Sequence, residues 1–174
     1  KVPIEVEKHL ENIGVSIIPL PGLLRCTAAK AFITSDWQQL YVDKWMYDSD
    51  YYQDELRFAY AHEYGHMVCH SDVYSSYNIS SFDDFYNWYE NISQAQYDNI
   101  ETQASIFANN FLVPRDLLKE QLNIYYKKCI ESGYSTISKE SINYYISPNI
   151  ANYFGVTVPV ANMAISTLGN YCIS

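Results

Sequence analysis

The stretch His62-Glu63-Tyr64-Gly65-His66 decides how the rest of this 174-residue chain is interpreted. Residues four positions apart lie on the same face of an α-helix, so the two histidines can direct their imidazole nitrogens at one point. A zinc ion, with Zn–N distances of about 2.0–2.1 Å, suits that point. Glu63 lies one step round the helix and can accept a proton from water held by the metal. The pattern therefore predicts metal-assisted hydrolysis of a peptide bond.

The surroundings of this stretch favour a metal site over a chance match. A pattern with three fixed positions does occur by chance, and two histidines can simply share a helix face. Here three of the four histidines, with His70 as the third, fall between positions 62 and 70. The segment that begins near Asp54 has the apolar and small residues of a helix, and Ser49 or Asp50 could cap its start.

A second helix, predicted over residues 94–111, carries the candidate third ligand. Glu101 shares one face of this helix with Ala104 and Ala108. Burial of a lone carboxylate on a small, apolar face is costly, so Glu101 needs a partner, and a metal ion is such a partner. The alternative is a solvated or salt-bridged glutamate.

Other residues near the motif are poorer ligand candidates. His70 lies about 12 Å along the helix from His62, at about 1.5 Å per residue, so both cannot join His66 on one ion. We expect His70 beside the site, where it could contact a ligand or stabilise an oxyanion. Asp72 is a weaker alternative, because Cys69 stands where a glycine would let the chain turn back. We interpret Arg57 as a structural residue that pairs with an acid, or as a second candidate for the oxyanion.

The residues before the motif predict a small β-sheet. A helix over residues 3–13 is followed by apolar, β-branched segments over 15–20, 29–34 and 38–43, which we predict to be strands. The order helix, sheet, active-site helix is typical of zincin-type proteases. We therefore predict an α+β fold in which a small twisted sheet packs on the H-E-x-x-H helix and on a second, glutamate-bearing helix.

The C-terminal part predicts a helical tail with a helix-turn-helix outline. After a helix over residues 115–130, Ser147-Pro148 is expected to start a short helix, Gly155 to form a turn and Thr157 to cap a last helix. That last helix has no lysine or arginine, which a DNA recognition helix needs, so we interpret it as a packing or partner-docking element. We predict a catalytic domain over 1–130 and a helical extension over 131–174, packed together as a single compact unit.

A polar, aromatic segment over residues 71–99 separates the two ligand-bearing helices. Ser81 resembles a helix start, and four aromatic residues after it recur on one face, namely Phe82, Phe85, Tyr86 and Tyr89. Packing on the core is the favoured interpretation of this face, because aromatic stripes usually pack. A lid or a substrate-contact surface is the alternative.

The net charge, the cysteine spacing and the length of the apolar runs argue against several classes of function. The formal net charge of −9 argues against binding to phosphate backbones. The four cysteines show no C-x-x-C spacing, so we expect free, mostly buried thiols. The first residues do not resemble a signal peptide, and no apolar run approaches the roughly 20 residues of a membrane span. We expect a cytoplasmic protein.

Two blocks of the sequence together resemble the ImmA/IrrE family of zinc metallopeptidases. Arg57-Phe-Ala-Tyr-Ala-His-Glu-Tyr-Gly-His66 is similar to the family's r-F-t-l-A-H-E-l-G-H. Glu101-Thr-Gln-Ala-Ser-Ile-Phe-Ala-Asn-Asn-Phe-Leu-Val-Pro114 is similar to its E-x-x-A-N-x-F-A-x-x-L-L-x-P, and residues 154–169 are similar to its usual ending. The chain departs from the family at Ser105, where asparagine is usual, and at Ile106, where a basic residue is common.

The resemblance implies a site and a biological role. His62, His66 and Glu101 would bind one catalytic zinc ion, and Glu63 would be the general base. The implied role is site-specific cleavage of a helix-turn-helix repressor of a mobile element or stress regulon. The net charge and the lack of a membrane span separately predict no direct contact with nucleic acid or membrane. Two alternatives stay open: an antitoxin-like zincin-fold protein that sequesters a partner with a structural zinc, and a secreted general metalloprotease. The retained Glu63 argues against the first.

Overall fold

A computed structural model describes residues 2–133 and 138–168, apart from the side chains of residues 139 and 140. The chain divides into two compact units. The first is Glu5–Ala108, and the second consists of the residues from Asn109 onward with those up to Ile4. The separation of a catalytic domain from an extension at residue 130 remains a prediction. None of the described helices is both long and apolar enough to cross a membrane.

A three-stranded mixed sheet lies in the first unit. Its strands are β1 (Ser16–Leu20), β2 (Ala31–Ile33) and β3 (Gln39–Asp43), in the order β1–β3–β2. β3 pairs in parallel with β1 and antiparallel with β2, with Phe32 opposite Tyr41. All three residues of β2 are buried, as expected for an apolar strand packed on both faces. The three predicted strands are therefore confirmed.

Helices make up most of the first unit. They are α1 (Val6–Asn12), α2 (Leu23–Thr27), α3 (Lys44–Tyr47), α4 (Gln53–Cys69), α5 (Ser71–Tyr74), α6 (Phe82–Asn91) and α7 (Gln94–Leu112), of which the last continues beyond the unit. The side chain of Asp43 caps α3 by accepting hydrogen bonds from the backbone N–H groups of Trp45 and Met46. Ser81 caps α6 in the same way, as predicted, by accepting from the N–H of Asp84.

The expected cap of α4 is wrong. A 3-10 turn over Asp50–Tyr52 precedes the helix, so α4 begins only at Gln53, and its cap residue, Tyr52, makes no side-chain cap hydrogen bond. Ser49 and Asp50 belong to the start of the 3-10 turn. The short helix α2 was not predicted.

Aromatic stacking joins α6 to the sheet. The ring of Phe32 in β2 stacks on that of Phe85, with the centroids 4.3 Å apart, and also on that of Tyr41, at 4.8 Å. Phe85 is buried, whereas Tyr86 points outward. The packing interpretation of this aromatic segment is confirmed for Phe85.

Three helices follow α7, namely α8 (Arg115–Glu131), α9 (Lys139–Phe154) and α10 (Val158–Leu168). The prediction that Ser147-Pro148 starts a helix is wrong, because Pro148 lies inside α9. A proline cannot donate a hydrogen bond to the carbonyl four residues earlier. The hydroxyl of the buried Ser147 donates to that carbonyl, of Tyr144, at 3.0 Å. Gly155 ends α9 with φ at +61°, as predicted for a turn.

The described cysteines are free but are not buried as predicted. Cys26 and Cys69 are exposed and Cys129 is half-buried. Cys26 lies off the buried face of α2, which is formed by the first and last residues of that helix, and Cys69 is the last residue of α4. Cys172 lies outside the described residues.

Candidate metal centre

The helices α4 and α7 approach each other closely at Gly65. A Cβ atom at this position would lie 3.1 Å from the backbone oxygen of Ala104 and 3.1 Å from the ring of Phe107. Ala104 is fully buried in this contact. Because Gly65 has no side chain, the two histidines of α4 can face Glu101 of α7 across a short gap.

Three donor side chains converge in that gap. His62 Nε2 lies 3.1 Å from His66 Nε2. The two oxygens of Glu101 lie 3.0 Å from His62 Nε2 and 3.4 Å from His66 Nε2. In a tetrahedral site with Zn–N distances of about 2.0–2.1 Å, ligand atoms are about 3.3–3.4 Å apart. Two imidazoles and a carboxylate with this spacing fit a zinc ion and leave a fourth position for water.

Glu63 lies beside this group in a different environment. Its side chain is buried, and its Oε2 accepts a hydrogen bond of 3.0 Å from the N–H of Ile33 in β2. Burial raises the pKa of the Glu63 carboxyl above its ordinary value, against the opposing effect of His66 and His62. Donor atoms of His62, Glu63 and His66 all lie within 4.8 Å of one another. Proximity alone therefore allows Glu63 as a ligand. The hydrogen bond from Ile33, however, holds Glu63 Oε2 at the sheet, whereas both oxygens of Glu101 face the two histidines.

The electrostatics of His62 and Glu101 suit a cation between them. Burial disfavours the charged form of Glu101, yet the hydrogen bond from His62 and the proximity of His66 lower the pKa of its carboxyl to about 2. Burial also lowers the pKa of His62, but the hydrogen bond to Glu101 and the charge of Glu63 outweigh it, so that the pKa is raised. Both shifts favour a positive charge between His62 and Glu101, and a bound metal ion would supply such a charge.

Each of the two histidines has a partner on its other nitrogen. His62 Nδ1 lies 3.2 Å from the hydroxyl of Ser105 on α7. His66 Nδ1 lies 3.2 Å from Nδ1 of the buried His70. His70 is thus placed beside the candidate ligands, where it was expected. Burial lowers the pKa of His70 below its ordinary value, so the ring is neutral at neutral pH.

Two other residues singled out in the sequence are not among the converging donors. Arg57 Nη1 lies 2.8 Å from Asp54 Oδ1, which confirms the predicted ion pair with an acid. A role for Arg57 at an oxyanion stays a prediction. Asp72 is exposed in the short helix α5.

Sequence reasoning missed Tyr74 and Gln103. Tyr74 is buried, with its ring 5.3 Å from that of His66 and 5.1 Å from that of Trp37. Burial, together with the charge of Glu63, raises the pKa of Tyr74 well above its ordinary value, so it stays neutral. Gln103 contacts His70 across 33 positions of sequence, and no local pattern signals such a contact.

A model of the IrrE N-terminal-like domain, Peptidase_M78, matches residues 47–166 of the chain. A search of curated proteins gave no match. The matched residues include α4 and α7, and so all four residues of the candidate centre, His62, Glu63, His66 and Glu101. They also span more than half of the chain, as the resemblance of the two sequence blocks predicted. The chain therefore belongs to the IrrE N-terminal-like, or Peptidase_M78, family, whose members are of the metallopeptidase type.

Proposed function

We propose that this chain is a zinc-dependent endopeptidase in which His62, His66 and Glu101 hold one catalytic zinc ion. The observation that carries the proposal is the mutual spacing of the three donors, at 3.0, 3.1 and 3.4 Å. Three lone-pair donors this close together repel one another unless a proton or a metal ion lies between them. Membership of a metallopeptidase family supports the metal.

Glu63 is the proposed general base. A bound zinc ion supplies Lewis-acid chemistry, which lowers the pKa of a water towards about 7 and polarises a peptide carbonyl. The Glu63 carboxylate accepts the proton of the attacking water and then passes it to the leaving amine. Its raised pKa suits a group that must both take up and release a proton, and the N–H of Ile33 fixes its orientation.

For the substrate, we propose a helix-turn-helix repressor of a mobile element or stress regulon, cleaved at a specific site in the cytoplasm. The support for this finer proposal is the resemblance of the two sequence blocks. The net charge of −9 also suits a neutral or basic protein substrate better than an acidic one. Co-purification of a bound partner, followed by mapping of the cleaved bond, would identify the substrate.

The paired variants Glu63→Gln and Glu101→Ala test the assignment of roles. We expect Glu63→Gln to keep one zinc ion per chain and to lose peptide cleavage, because only the proton acceptor is removed. We expect Glu101→Ala to lose zinc. The measurements are metal content after gel filtration and cleavage of the co-purified partner, with the exposed Glu90→Ala as the matched control.

The same pair can contradict the proposal. Loss of zinc from Glu63→Gln but not from Glu101→Ala would make Glu63 the ligand. Cleavage by Glu63→Gln at the wild-type rate would remove it as the base. In an assay of the genes that the repressor controls, relief of repression by Glu63→Gln as strong as by the wild type would instead support a protein that sequesters the repressor without cleaving it.

A further inference from the structure

A line of hydrogen-bonding side chains leads from the candidate ligand His66 to the protein surface. His66 Nδ1 lies 3.2 Å from His70 Nδ1, and His70 Nε2 lies 3.2 Å from Gln103 Oε1. Gln103 Nε2 donates in turn to Asn99 Oδ1 at 2.9 Å, one helical turn earlier on α7. His66 and His70 are buried, whereas Gln103 and Asn99 are exposed. We call these four residues the histidine–amide chain.

The hydrogen bond between Gln103 and Asn99, at the exposed end of the histidine–amide chain, determines which atom donates in each of the other hydrogen bonds. Because the amide N–H of Gln103 is used by Asn99, the oxygen of Gln103 faces His70, and an oxygen of this kind can only accept. His70 must therefore carry its proton on Nε2. A neutral imidazole has one protonated nitrogen, so His70 Nδ1 is an acceptor, and His66 must donate to it from Nδ1.

This order leaves His66 Nε2 without a proton, and Nε2 is the atom that faces His62 and Glu101. A metal binds only the unprotonated nitrogen of a neutral imidazole, and the partner of the other nitrogen fixes which one that is. We propose that Gln103, acting through His70, is a positioning residue that holds His66 in its metal-binding tautomer. This inference rests on the proposed function, since it assigns His66 as a ligand.

Gln103 can determine the tautomer of His66 because the group between them, His70, is an imidazole. A carboxylate or a carbonyl beside His66 Nδ1 could only accept, and would hold the tautomer without help. His70 can donate or accept at Nδ1, so the choice is passed on from Gln103. His62 is arranged differently, because the hydroxyl of Ser105 contacts its Nδ1 directly.

The tautomer can be measured directly in the metal-free 174-residue chain by long-range ¹H–¹⁵N NMR of the histidine rings. In the wild type we expect the proton of His66 on Nδ1 and that of His70 on Nε2. In Gln103→Lys only donors face His70, so we expect both rings to reverse and the proton of His66 to move to Nε2. Zinc affinity, from competition with a chromophoric chelator, should fall about 10- to 100-fold, the usual effect of losing an outer hydrogen-bond partner.

Two further variants separate the tautomer from charge. Gln103→Glu keeps an acceptor facing His70, and we expect it to retain the wild-type tautomer. Thr102→Lys adds the same positive charge at an exposed neighbouring position and should also leave the tautomer unchanged. Because Gln103 and Thr102 are exposed, these substitutions should not impair folding, which circular dichroism would check.

The inference is overturned if His66 of the wild type carries its proton on Nε2. It is also overturned if Gln103→Lys leaves both the tautomer and the zinc affinity unchanged. Failure of the proposed function has a different signature, because the wild type would then bind no zinc or cleave no peptide, whatever the tautomer of His66.

Discussion

At the scale of single residues, Glu63 and Glu101 show how two identical side chains acquire different chemistry. Glu63 is buried and Glu101 is half-buried. The pKa of Glu63 is raised by burial, whereas the two neighbouring histidines bring that of Glu101 to about 2. A group that binds protons readily suits an acid–base role, and one that stays ionised suits a metal ligand. Environment, rather than residue type, therefore separates the proposed base from the proposed ligand.

The raised pKa of His62 predicts how zinc affinity depends on pH. The metal-free form of His62 is protonated up to a pKa above 6.5, and zinc must displace that proton. The affinity should therefore fall as the pH decreases through the raised pKa, by about tenfold per pH unit for one released proton. Chelator competition between about pH 6 and pH 8 measures this dependence. A constant affinity over the range would show that His62 binds no proton in the metal-free site.

At the scale of elements, the contact of α4 with α7 sets the distance between the donors. Gly65→Val should lower the stability of the fold by about 1–3 kcal/mol, as is typical of overpacking, because backbone atoms of Ala104 stand 3.1 and 3.2 Å from the new Cβ. Helix propensity alone would favour valine slightly over glycine, so a loss identifies the interhelical contact. Chemical denaturation measures the loss, and zinc affinity should fall with it. Cys69→Val, at an exposed position of the same helix, is the control.

The proline inside α9 gives a second prediction at this scale. Ser147→Ala would leave the Tyr144 carbonyl without the hydroxyl that replaces the missing N–H of Pro148. Because Ser147 is 1% exposed, water cannot easily take its place, and we expect a loss of about 1–3 kcal/mol of stability. The exposed Ser166 makes a similar bond to the Met163 carbonyl, so Ser166→Ala should change little in the same thermal unfolding assay. Equal losses in the two variants would contradict the explanation.

The elements also show what sequence patterns could and could not reveal. The strands and α7 follow from the spacing of apolar residues, and His62, His66 and Glu101 follow from the chemistry of their spacing and from the family blocks. The interior position of Pro148 depends on one hydroxyl group, and the contact of His70 with Gln103 joins residues 33 positions apart. Neither leaves a periodic signal, because each depends on the geometry of a single side chain.

At the scale of the whole molecule, the candidate centre belongs to one unit of the chain. His62, Glu63, His66 and Glu101 all lie in Glu5–Ala108. The family match begins at residue 47, after the sheet, although the N–H of Ile33 in that sheet holds the proposed base. The proposed function therefore depends on a strand outside the matched residues.

The final prediction concerns the stability of this unit with and without metal. His62 and Glu101 lie 39 positions apart, so a metal bound to both links distant parts of the folded unit and is lost when it unfolds. A ligand present at about 100 times its dissociation constant adds about 2.7 kcal/mol of stability. Zinc should therefore raise the unfolding temperature of the wild type and of Glu63→Gln, and a chelator should reverse the rise. Glu101→Ala should show little or no rise, and a shift as large as that of the wild type would place the metal elsewhere.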